Sequence, residues 1–327
     1  MTQGPPSLSL GVDVGGTKVL GVAVDPDGRV VAEAREPTPQ AMEADGGERL
    51  ADTVASVVTT LAASVEVPVR SLPIGVGLPG MMGRDGVLLF APNLRSASGA
   101  DLVGLLEKRL GGRRVAVAND ADCAALAEQR LGAARGHDDV IVVTLGTGIG
   151  GGLIVGGELA RGGRGFAGEV GHMVIDVSGP ACPCGARGCW ERYASGSAVG
   201  RLAREAAQAG RLEAVVASAG GEPEAVRGEH VTAAALAGDR DALELIDQVG
   251  WWLARGLANL VHVLDPTCIV IGGGLSEAGT LLVPAARRHL VGLLEAGDLR
   301  PPIDIVAATF GPEAGSIGAS LLAREAS

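Results

Sequence analysis

One short segment, residues 168–191, concentrates side chains that bind metal ions and therefore constrains the fold around it. It reads GEVGHMVIDVSGPACPCGARGCWE, with three cysteines inside eight residues and a histidine ten residues before the first of them. Three thiolates and one imidazole are a common ligand set for tetrahedral zinc, and the glycines allow the backbone to turn tightly around an ion. Because four protein ligands leave no open coordination position, we predict a structural zinc site. Its ligands are His172, Cys182, Cys184 and Cys189.

A disulfide, or a set of unrelated buried cysteines, is the alternative explanation of this segment. The chain has five cysteines in 327 residues, which is not a disulfide-rich composition. The remaining two, Cys123 and Cys268, lie in apolar runs where free buried cysteine is ordinary. Free cysteines with a zinc motif suit a reducing compartment, so we expect a cytoplasmic protein. The zinc ion would hold two flanking acids, Glu169 and Glu191, in place.

The length and charge of the chain limit its architecture and its partners. A chain of 327 residues exceeds the size of a typical single core, so two domains are expected. The formal net charge of −11 argues against nucleic acid as a partner, because phosphate binding needs clustered Lys and Arg. The first ten residues lack the pattern of a signal peptide, and no apolar run reaches the roughly 18 residues of a membrane span. We expect no membrane partner.

The order of secondary-structure signals repeats along the chain. The first series contains three strands, then alternating helices and strands: Ser9–Asp13, Lys18–Val24, Val30–Ala34, helix Ala41–Val65, strand Ile74–Leu78, helix Asp101–Leu110, strand Val115–Ala118 and helix Ala121–Leu131. The second series repeats this order with strands Val140–Leu145, Gly151–Val155 and Glu158–Arg161, helices Ser197–Ala209, Thr232–Ala237 and Asp241–Val263, strand Cys268–Ile271, helix Thr280–Ala296, strand Ile303–Ala307 and helix Gly315–Arg324.

This repetition predicts two related α/β domains with a cleft between them. We assign residues 1–120 to a small N-terminal domain, which the C-terminal helix 312–327 joins. Residues 121–311 form the predicted large domain, and it contains the zinc-binding segment 168–191.

Three glycine-rich turns are candidates for holding phosphate groups, because successive backbone N–H groups in such turns form an anion-binding concavity. A helix begins after the third turn, and its N-terminus can receive part of a nucleotide. A plain turn is the alternative for each. The candidate residues are Asp13 with Gly15, Gly16, Thr17 and Lys18 in the first turn, Gly146, Thr147 and Gly148 in the second, and Gly272, Gly273 and Gly274 in the third.

The second turn also matches the dinucleotide fingerprint G-x-G-x-x-G through Gly146, Gly148 and Gly151. That fingerprint opens a helix, whereas the residues that follow it here, Leu153–Gly157, read as a strand entering a hairpin. We therefore reject a dehydrogenase.

Asn119 and Asp120 follow a predicted strand and precede a predicted helix. Asp120 could cap that helix. A carboxylate at a strand end that faces a cleft could instead accept a proton from a substrate hydroxyl, which phosphoryl transfer requires besides alignment and charge neutralisation. The spacing alone leaves both roles open.

Together these residues resemble the ROK family, which comprises sugar kinases and repressors built on the same body. The resemblance covers nearly the whole chain, and its pattern is closest to the bacterial glucokinases. It implies the actin-like ATPase fold, an α/β fold of two ribonuclease-H-like domains with a central cleft and a structural zinc site. The matching motifs are Asp13-Val-Gly-Gly-Thr17, Asn119-Asp120, Leu145-Gly-Thr-Gly148, Glu169-Val-Gly-His172 and Cys182-x-Cys184-Gly-x-x-Gly-Cys189-x-Glu191.

The resemblance also implies a role for each matching residue. Asp120 would be the general base for the 6-hydroxyl of a sugar, and Asp13 would help to hold Mg²⁺. The first two glycine turns would cradle the ATP phosphates, and the third would lie near the adenosine. His172 would bind zinc with one ring nitrogen and face the sugar with the other. The implied sugar site consists of Gly80, Asn93, Asn119, Asp120, Glu169, His172 and Glu191.

The expected function is ATP-dependent phosphorylation of glucose at O6, with ATP, Mg²⁺ and structural Zn²⁺ as cofactors. Fructose, N-acetylmannosamine, N-acetylglucosamine and allose stay open as substrates, and polyphosphate stays open as the donor. Family glucokinases often carry a tryptophan where this chain reads Arg95-Ser-Ala-Ser-Gly99, in the wall of the sugar site.

Two alternatives without catalysis are disfavoured. A repressor of the family would carry a DNA-binding domain before Asp13, for which the sequence leaves no room. A silent sugar-binding protein would not need the intact carboxylate of Asp120. The resemblance further implies a homo-oligomer, a dimer or a tetramer.

Overall fold

The structure, a computed structural model, describes residues 8–39, 45, 47–91, 94–274 and 276–326, and for residues 276–279 it describes the backbone alone. The strands are β1 (Ser9–Val14), β2 (Lys18–Val24), β3 (Val30–Pro37), β4 (Ile74–Leu78), β5 (Met81–Met82), β6 (Val87–Phe90), β7 (Ala100–Asp101), β8 (Val115–Asn119), β9 (Val140–Leu145), β10 (Ile149–Val155), β11 (Glu158–Leu159), β12 (Cys268–Gly272) and β13 (Asp304–Ala307). The α-helices are α1 (Glu48–Ser64), α2 (Leu102–Arg109), α3 (Asp120–Arg130), α4 (Glu191–Ala194), α5 (Gly196–Gln208), α6 (Glu213–Ser218), α7 (Gly228–Leu236), α8 (Arg240–Leu264), α9 (Ser276–Leu290) and α10 (Ala314–Glu325).

The first sheet has the strand order β3-β2-β1-β4-β8. Its first three strands in sequence are antiparallel neighbours, whereas β1, β4 and β8 run parallel. Helices cover both faces. A Cβ atom at Gly11 of β1 would overlap the backbone of α10, and one at Gly21 of β2 would overlap side chains of α1. Gly21 lies opposite Val12, the neighbour of Gly11, so the two glycines point to opposite faces of the sheet.

The second five-stranded sheet repeats this arrangement with the order β11-β10-β9-β12-β13. In both sheets the third, second, first, fourth and fifth strands of the series lie side by side. β12 runs parallel to β9 and β13, and β10 is antiparallel to β11. The predicted repetition of the element order is therefore confirmed.

A third, smaller sheet of β5, β6 and β7 was not expected. Strands of two to four residues carry too little alternation of apolar and polar side chains to be recognised from sequence. The six-residue helix α6 was not expected either, because it is too short to show the helical repeat of apolar residues.

The chain divides into two compact units. The first contains the residues up to Asp138, Gly152–Gly168 and the residues from Pro312 onward; the second contains Asp139–Gly151 and Glu169–Gly311. The predicted boundary after residue 120 differs from this division, because α3 belongs to the first unit. The reason is its packing on α10, where a Cβ atom at Gly318 would overlap the backbone of Cys123.

The helix boundaries agree with the sequence to within a few residues, with larger differences at α1, α7 and α9. Helix α9 spans Ser276–Leu290 instead of the predicted Thr280–Ala296, and Ala296 has a φ of 53°, which is not helical. Of the predicted helix Ala41–Val65, residues 41–44 and 46 lie outside the described residues, and the observed helix begins after Gly47, whose φ of 85° is not helical. Helix α7 begins at Gly228 instead of Thr232. None of the described helices combines the length and the apolar composition that crossing a membrane requires.

Candidate active site

Asn119 and Asp120 lie at the junction of β8 and α3 in the first unit. The N-cap of α3 is Asn119, whose side chain accepts a hydrogen bond from the N–H of Ala121 at 2.8 Å. The capping role considered for Asp120 is therefore wrong, and Asp120 is the first residue of the helix. The side-chain amide of Asn119 also donates to the carbonyl of Gly80 at 3.0 Å, so these two predicted site residues are in direct contact.

Gly80 follows β4 with a φ of 107°, and a Cβ atom there would overlap the carbonyl of Phe90. This position requires glycine because of both its backbone conformation and the close approach of β6. Asn93, the other residue predicted beside Gly80 in the sugar site, lies outside the described residues.

Asp13 lies near the end of β1, close to Asp120. Its Oδ1 atom is inaccessible to solvent and, among the described residues, has no hydrogen-bond partner. The pKa of Asp13 is raised to about 7, mainly by burial and further by the negative charge of Asp120, whereas Lys18 opposes the shift. A carboxylate oxygen held this way is unfavourable unless a cation neutralises it, and Mg²⁺ prefers such oxygen ligands. Asp13 therefore fits the predicted role.

The first glycine turn is a tight hairpin turn between β1 and β2. The N–H of Gly15 donates to the carbonyl of Lys18 at 2.8 Å. Thr38, which sequence reasoning missed, fixes the turn from the side: its hydroxyl donates to the carbonyl of Gly15 at 2.7 Å and its N–H to the carbonyl of Thr17 at 3.1 Å. The side chains of Thr17 and Lys18 are exposed, as is Gly16.

The second glycine turn, Gly146–Gly148, connects β9 to β10 in the second unit. A strand follows it, as predicted, so the turn does not open a helix as a dinucleotide fingerprint does. The first turn of α5 holds it: the N–H of Gly196 donates to the carbonyl of Gly146 at 2.8 Å, and the hydroxyl of Ser197 donates to the carbonyl of Thr147 at 2.5 Å. Neither α5 residue was predicted to belong to the site.

The third glycine turn approaches the second. Gly273 has a φ of 95°, and a Cβ atom there would lie 2.5 Å from the backbone nitrogen of Leu145, the residue before the second turn. Gly272 ends β12, and α9 begins at Ser276. The second unit therefore brings two of the three predicted glycine turns together.

The four predicted metal ligands form one cluster. One ligand atom from each of His172, Cys182, Cys184 and Cys189 can be chosen so that all four lie within 4.8 Å of one another. Cys184 Sγ lies 3.6 Å from Cys189 Sγ, and Cys182 Sγ lies 3.8 Å from His172 Nδ1. Zinc with Zn–S distances of about 2.3 Å would place tetrahedral ligands about 3.8 Å apart, so the donor set and its spacing fit the ion.

The backbone and the charges of this segment are also those of a metal site. A Cβ atom at Gly188, where φ is 71°, would overlap the carbonyl of Asp176, so only glycine permits this close fold. Burial raises the pKa of the Cys182 thiol, whereas a hydrogen bond from the N–H of Ala186 lowers the pKa of the Cys184 thiol. A cation in the cluster would favour the thiolate form of both.

Of the predicted sugar-binding side chains, His172 belongs to this cluster, and Glu169 and Glu191 lie next to it. His172 Nδ1 faces the cysteines, whereas its Nε2 lies 4.0 Å from Glu169 Oε2. The side chains of Glu169 and His172 are 40% and 41% exposed, which leaves them accessible to a ligand. Partial burial raises the pKa of Glu169, although His172 opposes the shift. Glu191 Oε1 lies 3.1 Å from Cys182 Sγ.

The predicted site residues are thus distributed over the two units. The first unit carries Asp13, Gly15, Gly16, Thr17, Lys18, Gly80, Asn119 and Asp120. The second unit carries the other two glycine turns, the four metal-ligand candidates, Glu169 and Glu191.

Comparison with known proteins assigns the family. The ROK family model matches residues 9–326. The chain is 38% identical to a glucokinase from Streptomyces coelicolor over 97% of its own length and 98% of that protein. It is 32% identical to an N-acetylmannosamine kinase from Escherichia coli, over 97% and 98% of the two chains.

A solved structure gives the same result. A ROK family glucokinase from Streptomyces griseus, crystallised with glucose and AMPPNP, is 37% identical and superposes with a TM-score of 0.85, covering 98% of this chain and 100% of that one. The predicted actin-like ATPase fold is therefore confirmed. The chain belongs to the ROK family.

Proposed function

We propose that this chain transfers the terminal phosphoryl group of ATP to the 6-hydroxyl of glucose, with Asp120 as the general base. One observation carries the proposal: Asp13 near the end of β1 and Asp120 directly after β8 lie close together, so that the charge of Asp120 raises the pKa of Asp13. A Cβ atom at Gly77, on β4 between these strands, would lie 3.5 Å from Asp13 Oδ1 and 3.6 Å from Asp120 Cα. With two carboxylates this close, one can bind a cation while the other accepts a proton.

The two carboxylates have different environments. Asp13 has a buried, unpartnered oxygen and a raised pKa, which suits a cation ligand. Asp120 is only partly buried, and its Oδ1 accepts the N–H of Ala121 at 2.9 Å, which fixes the direction of the carboxylate. Asp120 can therefore accept the proton of a substrate hydroxyl while the oxygen of that hydroxyl attacks phosphorus. Mg²⁺ held by Asp13 would neutralise charge on the donor phosphates, which a loose phosphoryl-transfer transition state requires.

The remaining residues position the substrates. The N–H groups of the glycine turns bind the phosphates, with the third turn next to the second one. His172 Nε2, Glu169 and Glu191 hydrogen-bond sugar hydroxyls, together with Asn119. His172 Nδ1 and the three cysteines would hold zinc, which would fix the direction of the imidazole and of the loop that carries these acids.

Glucose is our choice among several hexoses. Both curated relatives named above are sugar kinases, and the glucokinase shares more residues with this chain than the N-acetylmannosamine kinase does. The N-acetylated sugar is the second candidate, because its kinase covers the same length of chain. A homo-oligomer, a cytoplasmic location and polyphosphate as an alternative donor stay predictions.

The test is an assay of ADP release with MgATP against glucose, fructose, allose, N-acetylmannosamine and N-acetylglucosamine, with each product identified as the 6-phosphate by mass spectrometry. We expect kcat/KM to be highest for glucose. A preference for N-acetylmannosamine would overturn the substrate assignment and keep Asp120 as the base. If no sugar is phosphorylated with ATP or with polyphosphate, the kinase proposal is wrong.

A further inference from the structure

The carbonyl groups of the second glycine turn point toward one helix. The N–H of Gly196 and the hydroxyl of Ser197, both in the first turn of α5, donate to the consecutive carbonyls of Gly146 and Thr147 at 2.8 Å and 2.5 Å. The turn is also closed on itself by the N–H of Gly146, which donates to the carbonyl of Gly148 at 3.0 Å. Its backbone orientation is therefore fixed by three hydrogen bonds, one of which depends on a side chain.

The direction of these carbonyls determines the direction of two N–H groups. In a trans peptide the C=O and the following N–H point in opposite directions within one plane. Because the carbonyls of Gly146 and Thr147 point toward α5, the N–H groups of Thr147 and Gly148 point away from it. In the part of the chain that the structure describes, neither of these N–H groups has a protein acceptor. Two adjacent, parallel and unpaired donors are what a phosphate oxygen binds.

The hydroxyl of Ser197 is not needed for the helix itself. The N-cap of α5 is Ser195, whose side chain accepts the N–H of Ala198 at 3.2 Å. Ser197 is exposed to solvent, and its hydrogen bond reaches across 50 residues of sequence to Thr147. The hydrogen bond of its hydroxyl therefore acts on the glycine turn and not on the stability of α5.

We propose that Ser197 is a positioning residue, which aims the N–H groups of Thr147 and Gly148 at the phosphate chain of the phosphoryl donor. This inference rests on the proposed function, because it assigns the ligand of the second glycine turn as the phosphoanhydride chain of ATP or of polyphosphate. The residue acts through the backbone of Thr147 and does not itself touch the donor. The consequence is a specific effect on donor affinity, with the sugar unaffected.

The first unit contains an independent instance of the same arrangement. The hydroxyl of Thr38 donates to the carbonyl of Gly15 in the first glycine turn at 2.7 Å. Thr38 is 3% exposed and Ser197 is exposed, so burial does not explain why both turns carry a hydroxyl bonded to a carbonyl. What the two residues share is a glycine turn that must hold its peptide planes in one orientation.

The experiment compares the wild-type chain with Ser197→Ala and Ser197→Thr. Binding of Mg·AMPPNP, a non-hydrolysable ATP analogue, and of inorganic tripolyphosphate is measured by calorimetry without sugar. Steady-state KM values are measured for ATP, polyphosphate and glucose. The matched control is Ser64→Ala, which removes a hydrogen bond of the same kind, from an exposed serine hydroxyl to the carbonyl of Thr60 at 2.9 Å, in helix α1.

We expect Ser197→Ala to weaken AMPPNP binding and to raise the KM of the donor about three- to tenfold, which corresponds to one hydrogen bond. Ser197→Thr, which keeps the hydroxyl, should restore both values to within about twofold, and the KM for glucose should not change. Ser64→Ala should leave every value unchanged. Tripolyphosphate contains the phosphate chain without the nucleoside. If the second glycine turn binds the phosphate chain alone, Ser197→Ala should lose affinity for tripolyphosphate by the same factor as for AMPPNP.

The outcomes separate this inference from the proposed function. If Ser197→Ala binds AMPPNP and tripolyphosphate as the wild-type chain does, or if the wild-type chain binds neither, the positioning role is wrong. An equal loss of affinity in Ser197→Thr also overturns it, because the hydroxyl is then not what matters. If the wild-type chain phosphorylates no hexose and yet binds AMPPNP in a way that Ser197→Ala weakens, the proposed function fails and the positioning role stands.

Discussion

The carboxylate of Glu191 lies against Gly148: a Cβ atom added at this glycine would stand 2.5 Å from Glu191 Oε2. The other oxygen, Oε1, lies 3.1 Å from Cys182 Sγ and 3.9 Å from His172 Nδ1. One side chain therefore contacts both the second glycine turn and the cysteine–histidine cluster. An atom added at Gly148, or a change in the cluster, therefore reaches the carboxylate that we propose to bind sugar.

This contact predicts that Gly148→Ala, a change in a phosphate turn, impairs sugar binding. Gly148 is not among the glycines with positive φ, so alanine can adopt its backbone conformation. The overlap is with the end of a flexible side chain, so we expect the fold to tolerate it by moving the Glu191 carboxylate. The lost charged hydrogen bond should raise the KM for glucose about tenfold or more.

Gly146→Ala is the matched comparison for this prediction, because a Cβ atom there has no neighbour within 4 Å. Its KM for glucose should equal that of the wild-type chain, whatever its effect on ATP. Steady-state kinetics with each substrate varied in turn measures both variants. An unchanged KM for glucose in Gly148→Ala would show that Glu191 does not bind the sugar.

Asp120→Asn tests the general base. The asparagine oxygen can still accept the N–H of Ala121, which Asp120 Oδ1 accepts at 2.9 Å, so the start of α3 is preserved. Glucose binding, measured by calorimetry, should be nearly unchanged, whereas kcat should fall about 10²- to 10⁴-fold, the usual contribution of a positioned base. A variant that keeps more than about a tenth of the wild-type kcat would contradict the assignment.

The sequence predicts the repeated α/β elements better than the contacts that complete the site. Strands such as β4 and β9 were located residue for residue, because each is a buried apolar run between turn signals. The N-cap of α3 was not located correctly, because Asn119 and Asp120 are adjacent and both residue types cap helices well.

Thr38 and Ser197 were missed for a different reason. Each fixes a glycine turn that lies 23 or 50 residues away in the chain, and such a pairing leaves no local pattern in one sequence. The cluster of His172 with three cysteines was found because its ligand types and spacing are local and chemically specific. Local signals are thus read from the sequence, whereas long-range contacts require the fold.

Cys184→Ala tests the metal site. The wild-type chain should contain about one zinc ion per chain by elemental analysis, and the variant close to none, because three ligands hold structural zinc poorly. Trp190, which is 0% exposed and adjoins the ligand Cys189, should report the loss as a change in near-ultraviolet circular dichroism.

The matched control for the metal prediction is Cys268→Ala. This cysteine is also buried, lies in β12 and is not one of the cluster residues. The control should keep its zinc while losing about 1 kcal/mol of stability from the smaller side chain. Full zinc content in Cys184→Ala would contradict the assignment of this ligand.

The raised pKa of Asp13 makes the stability of the chain depend on pH. The pKa of Asp13 is about 7 in the folded chain, above the value of 3.8 for an unperturbed aspartate. Between these values the folded chain keeps a proton at Asp13 that the unfolded chain has released, so the stability falls as the pH rises through this window. Below pH 3.8 there is no loss, and above pH 7 the ionised carboxylate carries the full penalty, which bound Mg²⁺ would offset.

Asp13→Asn should therefore stabilise the metal-free chain at pH 8 while it abolishes most of the activity. A shift of this size would correspond to about 4 kcal/mol, but the residue is partly exposed and the amide needs hydrogen-bond partners of its own, so we expect a gain of about 1–2 kcal/mol. The gain should disappear at pH 4, and Mg²⁺ should raise the melting temperature of the wild-type chain at pH 8 but not that of the variant.

Asp122→Asn is the control, for which we expect a loss of stability instead of a gain. Asp122 is 1% exposed and its Oδ2 lies 3.6 Å from Arg161 Nε, so the substitution leaves a guanidinium group uncompensated and should cost about 3 kcal/mol. Thermal unfolding followed by circular dichroism at both pH values measures all of these changes, and a lower melting temperature for Asp13→Asn at pH 8 would show that the Asp13 carboxylate is not destabilising in the fold.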